Sequence, residues 1–387
     1  MSAVGPGVPQ DMDCASMSTS LNNETCHVVK TDYDLLALLN NMFGPENKYA
    51  LTPEAALGKL SAQSTVGPIR PLIEPTTSIA YPCGYKWCSG VLPSFELKGE
   101  GADGFPEMEV GLFLEKVAER LTLVTRASPG VLPARRRWSG VYANKPLLIQ
   151  EHVLQGSYQR KPDFVAFESG VGFYNHLRPR WTDVAVIGEL KCGASATLMD
   201  DVHPTLLNKV FCLMGLEENR RFVITLSFLK SKLIFSVFNR SCIIHCTPID
   251  IKKDIKTFVQ IMFLLTFMKR DLLGFDSSVE LDCYGRASHV WFGERKFSVV
   301  KTICLSRMIV GRATTVWQLK DDDGNDFALK SSWALQDRRP SEDYFLNEAH
   351  AVGTEGLQPF LGHHLVCFGS GCNTTNAITG KIEGIPC

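Results

Sequence analysis

The sequence predicts a mixed α+β fold, an α/β sandwich followed by a small antiparallel sheet carrying one helix. Three observations carry this reading. A helix, three strands, a helix and further strands follow one another between about residues 105 and 285, an order in which a central sheet needs cover on both faces. The runs KPDFVAF at 161–167 and DVAVIGELK at 183–191 are apolar, rich in Val and Phe and bounded by Pro, Gly and charge, as strands are. Beyond about residue 290 shorter apolar runs flank DDDGN, and an Asp-Gly turn between such runs is a hairpin signal.

In chain order, residues 1–104 read as a flexible lead with short helices. The first thirty residues are Ser-, Met-, Gly- and Pro-rich, and Leu35, Leu36, Leu38 and Leu39 mark a short helix within Asp32 to Phe43. From Met108 to Leu121 the residues Val110, Phe113, Leu114, Val117 and Leu121 recur at helical spacing, with Glu109, Glu115 and Glu119 mostly off that stripe. Arg135, Arg136 and Arg137 precede Trp138, a pattern that suits either a solvated loop or a grip on phosphate with stacking on a base. A short run from Pro146 to Gln150 precedes the two central strands, after which come a helix from Pro204 to Leu216, strands at 221–228 and 232–238, and a buried helix from Ile251 to Met268. The second unit, 290–370, reads as strands over 297–305, 308–320 and 326–330 and a helix over 341–352. Residues 371–387 read as a disordered tail.

Composition bounds the chemistry. A chain of 387 residues, 45% hydrophobic and 21% charged, can bury more than one core. A formal charge of −1 argues against a broad field that gathers nucleic acid from a distance. The longest apolar run, Phe258 to Met268, is too short to span a bilayer, so no membrane partner is expected. Thirteen scattered cysteines and no secretory leader suit reduced thiols in the cytoplasm or nucleus. Cys242, His245 and Cys246 have the nearest approach to ligand spacing, but a second ligand pair of zinc type is missing.

Two constellations could carry chemistry. Side chains alternate along a strand, so Glu189 and Lys191 share a face, and pairing of the two strands brings Asp163 to it. Asp163 and Glu189 could hold Mg2+ through oxygen while Lys191 steadies a water or a developing charge, the arrangement of metal-assisted phosphodiester cleavage. The same residues also make an ordinary solvated ion pair and a turn aspartate. The second constellation is a glycine, Gly311, within the strand read over 308–320 and a lysine, Lys330, on the next. Alone, such a pair serves turn geometry and solubility as readily as function.

The segments RRRWSGVYANKPL, RKPDFVAFE, WTDVAVIGELK, RRFVITLSF, LLGFDSSV, IVGRATTVWQLK, FALKSSW and DRRPSE, in this order over roughly 105 to 370, resemble the fungal-type protein kinase family. Asp163, Glu189 and Lys191 also resemble the PD and ExK elements of restriction-endonuclease-like folds. The resemblances imply an endonuclease-like sandwich over 105–285, then a kinase-type small lobe whose large lobe is missing. They further imply binding of ATP with Mg2+ and a protein substrate, and nucleic acid as partner only for the nuclease reading. By resemblance, Gly311 makes the tight phosphate-loop turn, Val316 and Ala328 flank the nucleotide, and Lys330 pairs with the phosphates, supported by Glu342 or, in reserve, Glu348. The family has Gly where this chain has Ala313. Neither a His-Arg-Asp nor an Asp-Phe-Gly segment occurs. An incomplete, inactive kinase is therefore expected, with a Mg2+-dependent nuclease and a non-catalytic nucleotide- or partner-binding module as alternatives.

Overall fold

The computed structural model describes residues 29–43, 53–61, 71–93, 95, 106–126, 136–147, 160–168, 179–193, 196–215, 217–334, 342–356, 360–368 and 371–372. Its fold is mixed α and β. The larger unit is built on one sheet of order β1-β9-β8-β7-β6-β5-β4 with β10 beside β8. The strands are β1 (Val29–Tyr33), β4 (Arg137–Ser139), β5 (Phe164–Phe167), β6 (Val184–Lys191), β7 (Val223–Leu229), β8 (Lys232–Phe238), β9 (Ile243–Cys246) and β10 (Ile249–Asp250), with β2 (Ile73–Pro75) and β3 (Tyr85–Trp87) forming a separate hairpin. Helices α1 (Leu35–Phe43), α2 (Pro53–Ser61), α3 (Pro106–Arg126) and α5 (Ile255–Phe267) contribute to the hydrophobic cluster on one face, and α4 (His203–Met214) to that on the other.

Near-continuous apolar strands are what a sheet covered on both faces requires, and β6 and β7 are buried along almost their whole length. β6 and β7 run parallel, whereas β5 runs antiparallel to β6 with Phe164 opposite Gly188. Gly188 is dictated by packing, since a Cβ there would lie 2.0 Å from the Phe164 ring. The acidic helix α3 is held to β4 by Glu115, which accepts from the Trp138 N–H at 2.8 Å and from Arg137 Nε at 3.2 Å. Asp254 caps α5 by accepting the Thr257 N–H.

The smaller unit is an antiparallel meander, β11 (Val279–Leu281), β12 (Ala287–Phe292), β13 (Arg295–Leu305), β14 (Thr315–Lys320) and β15 (Asp326–Ser331), followed by α6 (Glu342–Ala351). Val290, Phe297, Trp317 and Leu319 form its core. Glu218 of the larger unit ties the two together by accepting from the Ala287 N–H, the Thr302 hydroxyl and the Trp317 indole.

Three local expectations need correction. Residues 308–314, expected as the start of a strand, are a loop, and pairing with β13 begins only at Thr315; Gly311 and Ala313, both at positive φ, break the extended run. The segment read as a solvated loop or a phosphate grip is neither over Arg136–Trp138, Arg135 lying outside the described residues: Arg136 is buried, with Nε 2.8 Å from Glu168 and a guanidinium N–H on the Met268 carbonyl, Arg137 on β4 pairs with Glu115, and Trp138 is buried in the core. The stretch read as a lead supplies β1, whose Val29 and Lys30 pair with Ile243 and Ile244. Of the stretch read as a disordered tail, Gly371 and Cys372 pair antiparallel with Phe368 and Cys367, and the residues from 373 onward lie outside those described. Among the described residues, no helix is long and apolar enough to cross a membrane.

Candidate functional site

Antiparallel pairing of Phe164 with Gly188 sets Asp163 across from Glu189. One Asp163 oxygen accepts the Leu190 N–H at 2.7 Å. Alternation along β6 turns Ile187 toward α4 and Leu190 into the opposite core, as the pattern predicts, and Lys191 pairs with Glu189 at 2.7 Å. The structure thus brings Asp163, Glu189 and Lys191 together. It adds a fourth residue: Lys209 of α4 places its ammonium 3.1 Å from Asp163 Oδ1 and in contact with Glu189 Oε2.

Lys209 is buried, as is Glu189. Burial disfavours the Lys209 ammonium, yet the Glu189 and Asp163 carboxylates outweigh it and hold its pKa above the usual lysine value. Burial raises the Glu189 carboxyl, opposed chiefly by Lys209. Two carboxylates around a cation are what Mg2+ would also require. Here an ammonium lies between them, and no group of three or more His, Cys, Asp or Glu among the described residues is arranged to hold a metal. The donor set therefore suits a tethered ammonium better than a divalent ion.

The second site lies on the small sheet. Lys330 on β15 pairs in register with Val316 on β14, and Ala328, two residues earlier, shares its strand face. The Lys330 ammonium lies 2.6 and 2.7 Å from the two Glu342 oxygens, so Glu342 at the start of α6 is its partner, with Glu348 further along the same helix. Arg312 reaches the same carboxylate at 3.5 Å. The hydrogen bonds from Lys330 hold the Glu342 pKa below the usual carboxylate range. Gly311 takes φ 113° and Ala313 φ 42°, so Ala313 adopts the left-handed conformation that glycine adopts without strain.

Cys242, His245 and Cys246 do not form a ligand cluster. Cys242 receives a hydrogen bond from Asn239. His245 lies between Ser236, 2.8 Å from its Nδ1, and His203, 2.9 Å from its Nε2, inside the core. Burial lowers His203 to about 4 and His245 to about 3.

Sequence reasoning missed Lys209, Glu218 and Arg240. Lys209 had a readable signal, a lone charge three residues after Leu206 and four before Leu213, inside the apolar stripe of its helix. Glu218 and Arg240 sit in connections, where periodicity says nothing.

In comparisons with known proteins, the family model described as fungal protein kinase matches residues 161–383. No curated protein and no solved structure matches the chain.

Proposed function

The chain belongs to the fungal protein kinase family, and from that premise we propose that its smaller unit captures MgATP through Lys330. The observation that carries this reading is the Lys330–Glu342 pair, at 2.6 and 2.7 Å on a strand beside a glycine turn. An ammonium has three donors and needs a fixed direction to select a phosphate oxygen. Glu342 supplies that direction, while the exposure of Lys330 leaves it accessible to a ligand. In this reading Gly311 makes the phosphate-loop turn, and Val316 and Ala328, flanking Lys330 in register and along the strand, supply small apolar surface for the base. Mg2+ bound with the nucleotide would supply charge neutralisation for the phosphates that Lys330 meets. The acceptor, by family, is a protein hydroxyl.

The 387 residues hold neither a His-Arg-Asp nor an Asp-Phe-Gly segment, so the reading assigned to them is nucleotide capture rather than the transfer step. The test is thermal unfolding with and without MgATP. Nucleotide at about 100 times its Kd should stabilise the wild-type chain by about 2.7 kcal/mol, and Lys330→Ala should remove the shift. A wild-type melting curve that saturating MgATP leaves unmoved would refute the proposal.

A second reading is favoured by the convergence of Asp163, Glu189 and Lys191: a site for Mg2+ and a phosphodiester. It requires Lys209 to vacate the space between the carboxylates. Plasmid cleavage in Mg2+ that disappears in Glu189→Gln supports it, and an intact plasmid in Mg2+ or Mn2+ removes it.

A further inference from the structure

The glycine turn of the small sheet does not stand free of the larger unit. Ile309 is fully buried in the cluster that α4, Phe238 of β8 and Ile243 of β9 build on that face of the large sheet, and Val310 packs against the same cluster. Arg240, in the turn between β8 and β9, clasps this tip. Its guanidinium donates to the carbonyls of Met308 and Ile309, the latter at 3.4 Å, and to those of Met214 at 2.8 Å and Arg220 at 2.9 Å. Its own carbonyl accepts the Gly311 N–H at 2.7 Å.

The far side of the loop is tied to the small sheet. The Ser306 N–H reaches the Thr314 carbonyl at 2.9 Å, and the Trp333 N–H reaches the Arg312 carbonyl at 2.8 Å. Between these ties lie Gly311 and the left-handed Ala313, a conformation that a residue with a Cβ holds only where its surroundings impose it. Arg312 then meets Glu342, the carboxylate that also orients Lys330. A continuous set of contacts therefore runs from Arg240 through the turn to the lysine.

We infer that Arg240 is a positioning residue for the phosphate-facing turn, so that the larger unit sets the nucleotide affinity of the smaller one. The inference rests on the nucleotide reading proposed above. A loop already ordered loses less conformational freedom when a ligand binds. Because the Gly311 N–H is spent on Arg240, the phosphates are met by the amides that follow it. Lysine cannot replace Arg240, since a compact ammonium cannot span carbonyls from three separate segments as a planar guanidinium does.

The test compares full-length wild type, Arg240→Lys and the milder Ile309→Val by calorimetric titration with MgATP and with adenosine, alongside amide hydrogen exchange. Arg240→Lys should weaken MgATP binding by about tenfold and Ile309→Val by less, with adenosine affinity unchanged in both. Exchange should quicken at 309–313 while β6 and β7 stay protected. An equal loss for adenosine and MgATP would mark a general structural defect and overturn the inference. So would wild-type MgATP affinity in a variant whose turn amides exchange faster, or turn exchange unaltered in both variants. Should Arg240→Lys not fold, Ile309→Val decides by the same criteria. A wild-type chain that fails to bind MgATP sinks the nucleotide reading and this inference together, whereas wild-type binding that the variants leave intact sinks the inference alone.

Discussion

Lys209 and Lys330 both meet carboxylates, and the difference between them lies in water. Lys209 is 5% exposed and enclosed by Asp163 and Glu189; Lys330 is 40% exposed and faces Glu342, itself 54% exposed. In the larger unit the carboxylates must compensate an ammonium taken out of solvent, so removing either side strands a buried charge. In the smaller unit water screens both partners, the pair is worth little to folding, and the lysine can exchange part of its contact for a phosphate. The same side-chain chemistry gives a strut in one place and a candidate binding group in the other.

The strongest way to break this comparison is Lys209→Ala. With the buried Glu189 left beside Asp163 and met only by the partly exposed Lys191, unfolding by urea should show a loss of about 3–5 kcal/mol. A loss below about 1 kcal/mol would put Lys209 in the same class as Lys330. Restoration of the lost stability by added Mg2+ would establish that the ammonium occupies a cation's seat.

The histidine pair sharpens the buried side of the comparison, because His203 lies on the same helix as Lys209 and His245 is held by Ser236 and His203. Both are lowered by burial, to about 4 and about 3, so between those values and 6.5 the unfolded chain binds the more protons. Stability should therefore fall as pH drops from 6.5 toward 4, with His245 accounting for on the order of 3 kcal/mol at pH 4. Glu217, raised to about 7 by burial, works in the opposite direction over part of this window. Melting curves of His245→Asn should show a flatter acid limb than wild type, and an equally steep limb would remove the pair from the account.

On the exposed side, Ala313→Gly should stabilise the chain by about 0.5–1 kcal/mol, the relief of a left-handed alanine less the greater freedom of an unfolded glycine. Destabilisation in thermal melts would mean that the turn is not strained. Lys330→Ala should have the smallest effect on folding, within about 0.5 kcal/mol, measured without nucleotide. A large loss would make Lys330 a strut like Lys209.

Much of the architecture was legible in the residues. The 3.6-residue stripe of α3, the apolar runs of β5 and β6 and the Asp-Gly turn before β15 each record burial on a local period. The partnership of Lys330 with Glu342 was legible through the match of FALK and the following helix to the kinase pattern. The strand at Val29 was not, because a five-residue edge strand among polar neighbours gains its stability from pairing with β9 rather than from its own composition. The arginines before Trp138 looked like surface charge because sequence records side-chain type and not the carboxylate and carbonyls that receive it.

What the sequence by itself determined is the main helices and strands around the two candidate sites, the alternation that turns Glu189 and Lys191 to one face, and the family. Only the tertiary structure decided that Lys209 from a separate helix enters between Asp163 and Glu189, and that Arg240 reaches across to hold the turn at Gly311. Periodicity is a local consequence of how a helix or strand meets its core. A cation's choice of partner depends on which distant groups packing removes from water beside it, and that is settled only when the layers close.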